Sequence, residues 1–116
     1  MSVRLIKKPW GYEEIWAETD RYVGKFLHIN PGCRLSRQYH NVKTETIRVL
    51  EGKLILETSD GAGGFSDRVL DRGEVFHVSP GTIHRFGARD VPVVLVEVST
   101  PELDDVVRLE DDYARQ

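Results

Sequence analysis

A single cysteine, Cys33, is all the thiol that this chain of 116 residues contains. No internal disulfide can form, and a lone thiol suits a reducing compartment, so a cytoplasmic location is expected. Long apolar runs are also missing. A stretch such as Val91 to Val96, interrupted by Pro92, is far too short to cross a bilayer, so no membrane partner is expected. The opening residues Met1-Ser2-Val3-Arg4-Leu5 lack the apolar core of a secretory leader. Positive charge is not in excess either, with 16 Lys+Arg against 19 Asp+Glu and a net charge of −3. Nothing resembles a basic stripe able to displace counterions from a phosphate backbone, and nucleic acid is excluded as an expected partner. A glycine-rich phosphate loop is absent as well: the cluster Gly61 to Gly64 is followed by neither a Lys-Ser/Thr pair nor a helical pattern. At 13.3 kDa there is room for one core, and residues 1–116 are expected to form a single domain.

What the chain does have is regular punctuation. Turn-formers recur at Pro31-Gly32, Glu51-Gly52, Asp60 to Gly64, Arg72-Gly73, Ser79-Pro80-Gly81 and Val91-Pro92. Between them lie short segments rich in β-branched and aromatic residues: Glu14 to Ala17, Tyr22 to Ile29, Thr46 to Leu50, Lys53 to Thr58, Arg68 to Leu70, Glu74 to Val78, Ile83 to Phe86 and Val93 to Val98. Roughly eight or nine such strands must close into a small all-β barrel or jelly roll to protect their edges. Leu50-Glu51-Gly52-Lys53 reads as a hairpin, and Asp60 to Phe65 as a glycine-rich loop joining two antiparallel strands. The acidic tail Pro101 to Tyr113 is the one segment with helical character, so a short C-terminal helical or irregular tail is expected. Val3 to Lys8 reads as an exposed segment that extends a neighbouring copy's sheet, giving a homodimer.

Four residues suggest chemistry. Gln38 and His40, two apart on an extended stretch, share a face; Glu45 follows shortly, and His84 comes after the turn at Ser79 to Thr82. If the two segments are neighbours, an amide oxygen, two imidazoles and a carboxylate converge, a donor set that suits a divalent metal. Spacing equally allows two ordinary barrel-wall histidines and two solvated polar residues. His28 and His77 read as structural, Cys33 as a small hydrophobe, and Trp10, Tyr12, Trp16 and Phe26 as core and interface volume. Lys25 falls on the apolar face of its strand with Val23, Leu27 and Ile29, which points it inward.

The segments Gly32 to Glu45 with Gly52, and Gly73 to His84, resemble the two motifs of the cupin superfamily. Lys8-Pro9-Trp10-Gly11, Gln38-x-His40, Gly81-x-x-His84-Arg85 and the ending Val107-Arg108-Leu109-Glu110-Asp111-Asp112-Tyr113-Ala114-Arg115 resemble the cupin domain of type II mannose-6-phosphate isomerases. The resemblance implies a jelly-roll barrel holding one divalent metal on Gln38, His40, Glu45 and His84, zinc first, with manganese, iron, cobalt or nickel as alternatives. It implies an aldose–ketose isomerase acting on a sugar or sugar phosphate, with mannose-6-phosphate the candidate. Lys25, Arg34 and Arg85 match the family pattern and would supply cations to a phosphate, with Lys43 a candidate base; Lys43, Lys25 and Arg85 form the candidate catalytic set. The guanylyltransferase domain that precedes this domain in many relatives does not fit in the chain's length, so nucleotidyl transfer is not expected. Where those relatives carry Arg-Ala-Glu-His-Trp, this chain has Lys43-Thr44-Glu45-Thr46-Ile47, which removes an arginine and a histidine beside the metal set. Two other functions share such a ligand set: Fe(II)-dependent dioxygenation, and non-catalytic binding of a carbohydrate or small acid.

Overall fold

The structure, a computed structural model, describes residues 2–115. Eleven strands make up its regular structure: β1 (Arg4–Lys8), β2 (Gly11–Glu18), β3 (Val23–Ile29), β4 (Arg37–Tyr39), β5 (Glu45–Glu51), β6 (Leu54–Ser59), β7 (Phe65–Leu70), β8 (Val75–Val78), β9 (His84–Gly87), β10 (Val93–Ser99) and β11 (Val107–Glu110). They form a six-stranded sheet in the order β1-β2-β3-β10-β5-β8 and a five-stranded sheet in the order β11-β4-β9-β6-β7, antiparallel throughout. This is the all-β jelly roll that the closely spaced turns predict. No helix among the described residues is long and apolar enough to cross a membrane.

Alternation sets the two faces of each strand. Along β3, Val23, Lys25, Leu27 and Ile29 point in while Phe26 and His28 are only half-buried. β10 follows the same rule, with Val93, Leu95, Glu97 and Ser99 inward. The inward rows divide by position along the strands. Leu27, Ile29, Ile47, Val49, Val93 and Leu95 pack with Leu54, Leu56 and Phe86 of the opposite sheet into an apolar core. Lys25, Glu45 and Glu97, nearer the other end, line a polar compartment between the same two sheets.

Two expectations are corrected. Leu50 to Lys53 is not a hairpin. β5 pairs with β10 and β8, whereas β6 pairs with β7 and β9, so Gly52 carries the chain from one sheet to the other. A β carbon at Gly52 would lie 2.1 Å from the Pro92 carbonyl oxygen, at a φ of +79°, so the crossing suits glycine. The tail has no helix; its residues 107–110 form β11, which covers the edge of β4. Arg34 and Arg85 bind Asp112, and Arg85 and Arg37 bind Glu110, which holds the tail extended. β1 pairs with its own β2 from Arg4↔Ile15 to Lys8↔Gly11 and stands at the edge of the six-stranded sheet. The loop at Asp60 to Phe65 does join an antiparallel pair, β6 and β7.

Candidate metal centre

Glu45 begins β5 pointing inward, His84 begins β9, and His40 follows β4 directly. Gln38 of β4 lies opposite His84 of β9, which puts the two on one face. The loop leading to His84 is tied to the first segment by the Gly81 N–H, which donates to the His40 carbonyl at 2.8 Å. One ligand atom each from His40, Glu45 and His84 lies within 4.8 Å of the others, and all three residues are buried.

The hydrogen bonds fix the orientation of both imidazoles. His40 Nδ1–H donates to the Asp105 carbonyl at 2.6 Å, and His84 Nδ1–H to the Thr82 carbonyl at 2.9 Å. That turns both Nε2 atoms toward the centre, where a neutral ring presents them as the acceptors a metal ligand needs. They face Glu45 Oε1 at 2.7 Å from His40 and 3.7 Å from His84. His84 Nε2 and Glu45 Oε2 are buried without a hydrogen-bond partner among the described residues. Buried acceptors turned on one another are costly unless a cation lies between them. These residues therefore fit a divalent metal. Gln38 Oε1 accepts from the Ser36 hydroxyl at 2.6 Å and keeps a second lone pair for a ligand role.

A ring of charges surrounds the three. Lys25 Nζ lies 3.4 Å from Glu13 Oε2 and 3.6 Å from Glu97 Oε2, and Lys43 Nζ lies 3.6 Å from Glu97 Oε2. Burial pushes the Glu97 carboxyl up, and the adjacent Glu45 charge pushes it further, to about 8. Burial acts on Glu45 in the same sense, but hydrogen bonds with Glu97 and His40 and the nearby Lys43 and His84 outweigh it and draw Glu45 well below the carboxylate range. The pair thus divides its protons unequally, with Glu45 the anion. Burial lowers His84 despite the Glu45 charge. It opposes the charge on Lys25 too, yet Glu97, Glu13 and Glu45 prevail, and the ammonium is held above the ordinary lysine range.

A cavity of about 230 Å³ opens onto this centre, with Gln38, His40, Lys25, Lys43 and Glu13 in its wall and Lys8, Arg108 and Arg115 also lining it. Of the expected phosphate-binding cations, Lys25 faces the cavity. Arg85 and Arg34 are not among its lining residues. Arg85 follows His84, so alternation turns it to the opposite face, where it donates to the Leu35 carbonyl, Glu110 and Asp112. Arg34 is bound to Asp112 through two N–H groups. Thr46 is also turned away from the metal centre and hydrogen-bonds His77 Nδ1 at 2.9 Å, so that departure from the family pattern does not alter the cavity wall. His28 stacks on Tyr12 at 4.1 Å, well apart from the metal set. Glu13, Glu97 and Asp105 were missed by the sequence reading. For the first two a signal existed, since alternation places Glu13 with Ile15 and Glu97 with Leu95 on inward faces.

The fold is that of a cupin, a double-sheet barrel, and between its sheets sits a His40–Glu45–His84 group that could hold a metal ion. More narrowly, the chain belongs to the family described as Mannose-6-phosphate isomerase C-terminal, which it matches over residues 2–111. It is 33% identical to mannose-1-phosphate guanylyltransferase of Escherichia coli K12 over 97% of its own length and 23% of the relative's. It is 28% identical to the xanthan biosynthesis protein XanB of Xanthomonas campestris pv. campestris, over 97% of this chain and 24% of that one. The chain thus spans about a quarter of the length of the curated relatives it matches. Among solved structures it superposes on the capsular polysaccharide assembling protein CapF of Staphylococcus aureus with a TM-score of 0.80. That match has 19% identity and covers 94% of this chain and 34% of CapF.

Proposed function

We propose that the protein is a metal-dependent isomerase that interconverts the aldose and ketose forms of a sugar phosphate, with mannose-6-phosphate as the candidate substrate. The observation carrying this reading is the pairing of a His40–Glu45–His84 centre with a cavity bordered by Lys8, Lys25, Lys43, Arg108 and Arg115. Cations around such a cavity suit an anionic sugar, and membership of the family points to the same substrate class. His40, Glu45 and His84, with Gln38 as a further donor, would hold zinc or another first-row divalent ion. That ion would polarise the sugar's carbonyl and neighbouring hydroxyl. Lys25 and Lys43 donate N–H groups to the sugar's oxygens, and the cationic rim binds the phosphate. The carboxylate of Glu13, on the cavity wall beside Lys25, accepts the proton that moves between C1 and C2. Lys43 is thereby assigned a donor's part in place of the base that the sequence suggested.

The test combines elemental analysis with a coupled assay of mannose-6-phosphate against fructose-6-phosphate. Expected results are near one metal per chain, turnover that a chelator abolishes and added metal restores, and no consumption of oxygen. Oxygen uptake with Fe(II) would establish a dioxygenase instead. Saturable sugar-phosphate binding without turnover would leave a binding cupin.

A further inference from the structure

The outward face of the six-stranded sheet is rich in apolar groups. Trp16 lies flat over Gly24, where a β carbon would come within 2.7 Å of the indole, and it stacks with Phe26 at a centroid distance of 5.9 Å. Tyr12 lies parallel to the His28 ring. Trp16 is 39% exposed, Val98 52% and Val75 56%. Aromatic and aliphatic groups exposed together on one sheet face are a mark of an interaction surface.

Its registry says what fits there. Reading across the sheet, Leu5 is opposite Glu14, Glu14 opposite Phe26, Phe26 opposite Val96, Val96 opposite Arg48, and Arg48 opposite Val75. The row runs apolar, acid, apolar, then apolar, base, apolar. It is symmetric about the gap between β3 and β10 except that the two charges are opposite in sign. A twofold axis parallel to the strands, placed over that gap, lays Glu14 on the partner's Arg48, Phe26 on the partner's Val96 and Leu5 on the partner's Val75. Sheets stack with strands nearly aligned in this way at a separation of about 10 Å. Neither Glu14 nor Arg48 makes an ion pair among the described residues. Six strands of four to eight residues at about 4.8 Å spacing give a face on the order of 600 Å² per copy, at the lower end of what a stable interface needs.

We propose that this face is a homodimer interface, on which a second copy of the chain packs sheet to sheet about that axis, with Glu14 and Arg48 paired reciprocally. The metal centre lies on the inward face, so both cavities remain open.

Sedimentation velocity at micromolar concentration tests the arrangement. The unmodified protein is expected at twice 13.3 kDa. Arg48→Glu and Glu14→Arg should each weaken the dimer at least tenfold by opposing like charges. Combining the two should restore it, because each pair is then re-formed with its signs exchanged. Melting curves and metal content of the variants show that each has folded. A monomer at about 100 µM would overturn the proposal. So would a dimer indifferent to both single changes, or single variants that dissociate without rescue by the double change.

Discussion

Within the metal centre the protons are distributed by position rather than by residue type. Glu45 and Glu97 are both buried glutamates, yet one is held as an anion and the other is pushed up to about 8. Between the ordinary value of 4.5 and about 8 the folded chain keeps a proton on Glu97 that the unfolded chain has lost, so this carboxyl destabilises the fold as pH rises through that window. His84, lowered from 6.5, acts oppositely, but only below that value, and Glu45 only below 4.5. The metal-free protein should therefore lose melting temperature between pH 7 and pH 8.5, and Glu97→Gln should flatten the decline; an equal decline in the variant would point to another group. Asp105 deserves a test at the same scale. Its carbonyl orients His40, while its carboxylate accepts the N–H groups of Asn41, Val42 and Lys43 at 3.0, 2.7 and 2.8 Å, which draw it down to about 2. Asp105→Ala should weaken metal binding about tenfold while leaving every ligand in place, as removal of an outer partner does, and competition with a chelator measures it. The convergence of His40, Glu45 and His84 was legible because their motif spacing resembles the family's. Asp105 was not, because its role rests on backbone groups more than sixty residues away, which no local pattern announces.

At the scale of elements, turn residues and alternation gave the strands but not their partners. β2, β3, β6, β8, β9 and β10 stand close to where β-branched and aromatic residues cluster. β4 and β11 are only three and four residues long, too short for alternation to declare itself, and they exist because each covers the other's edge. The Gly52 crossing is the instructive error. A glycine with positive φ serves a hairpin and a sheet-to-sheet crossing equally, so the residue type cannot decide between them. Gly52→Ala should reveal the difference: a hairpin turn open to solvent would bear only conformational strain, whereas here the methyl group also meets the Pro92 carbonyl. A loss of at least about 2 kcal/mol is expected in urea unfolding, larger than strain alone tends to give.

For the molecule as a whole, most pairing is between distant segments. β3 pairs with β10, and β4 with β11, so little of either sheet can form early. Stopped-flow refolding should accordingly fall in the millisecond-to-second range of sandwiches rather than the microsecond range of small helical proteins. Position within the sheet has a further consequence during synthesis. β10 is the strand joining β1-β2-β3 to β5-β8, yet it leaves the ribosome after all of them. Until Val93 to Ser99 has emerged, the first sheet exists only as two fragments with bare edges, and Glu97 has not reached the lysines it sits between. Until that point the nascent chain is exposed to chaperones and to mispairing, and the sheet and its charge network are completed together by one late strand.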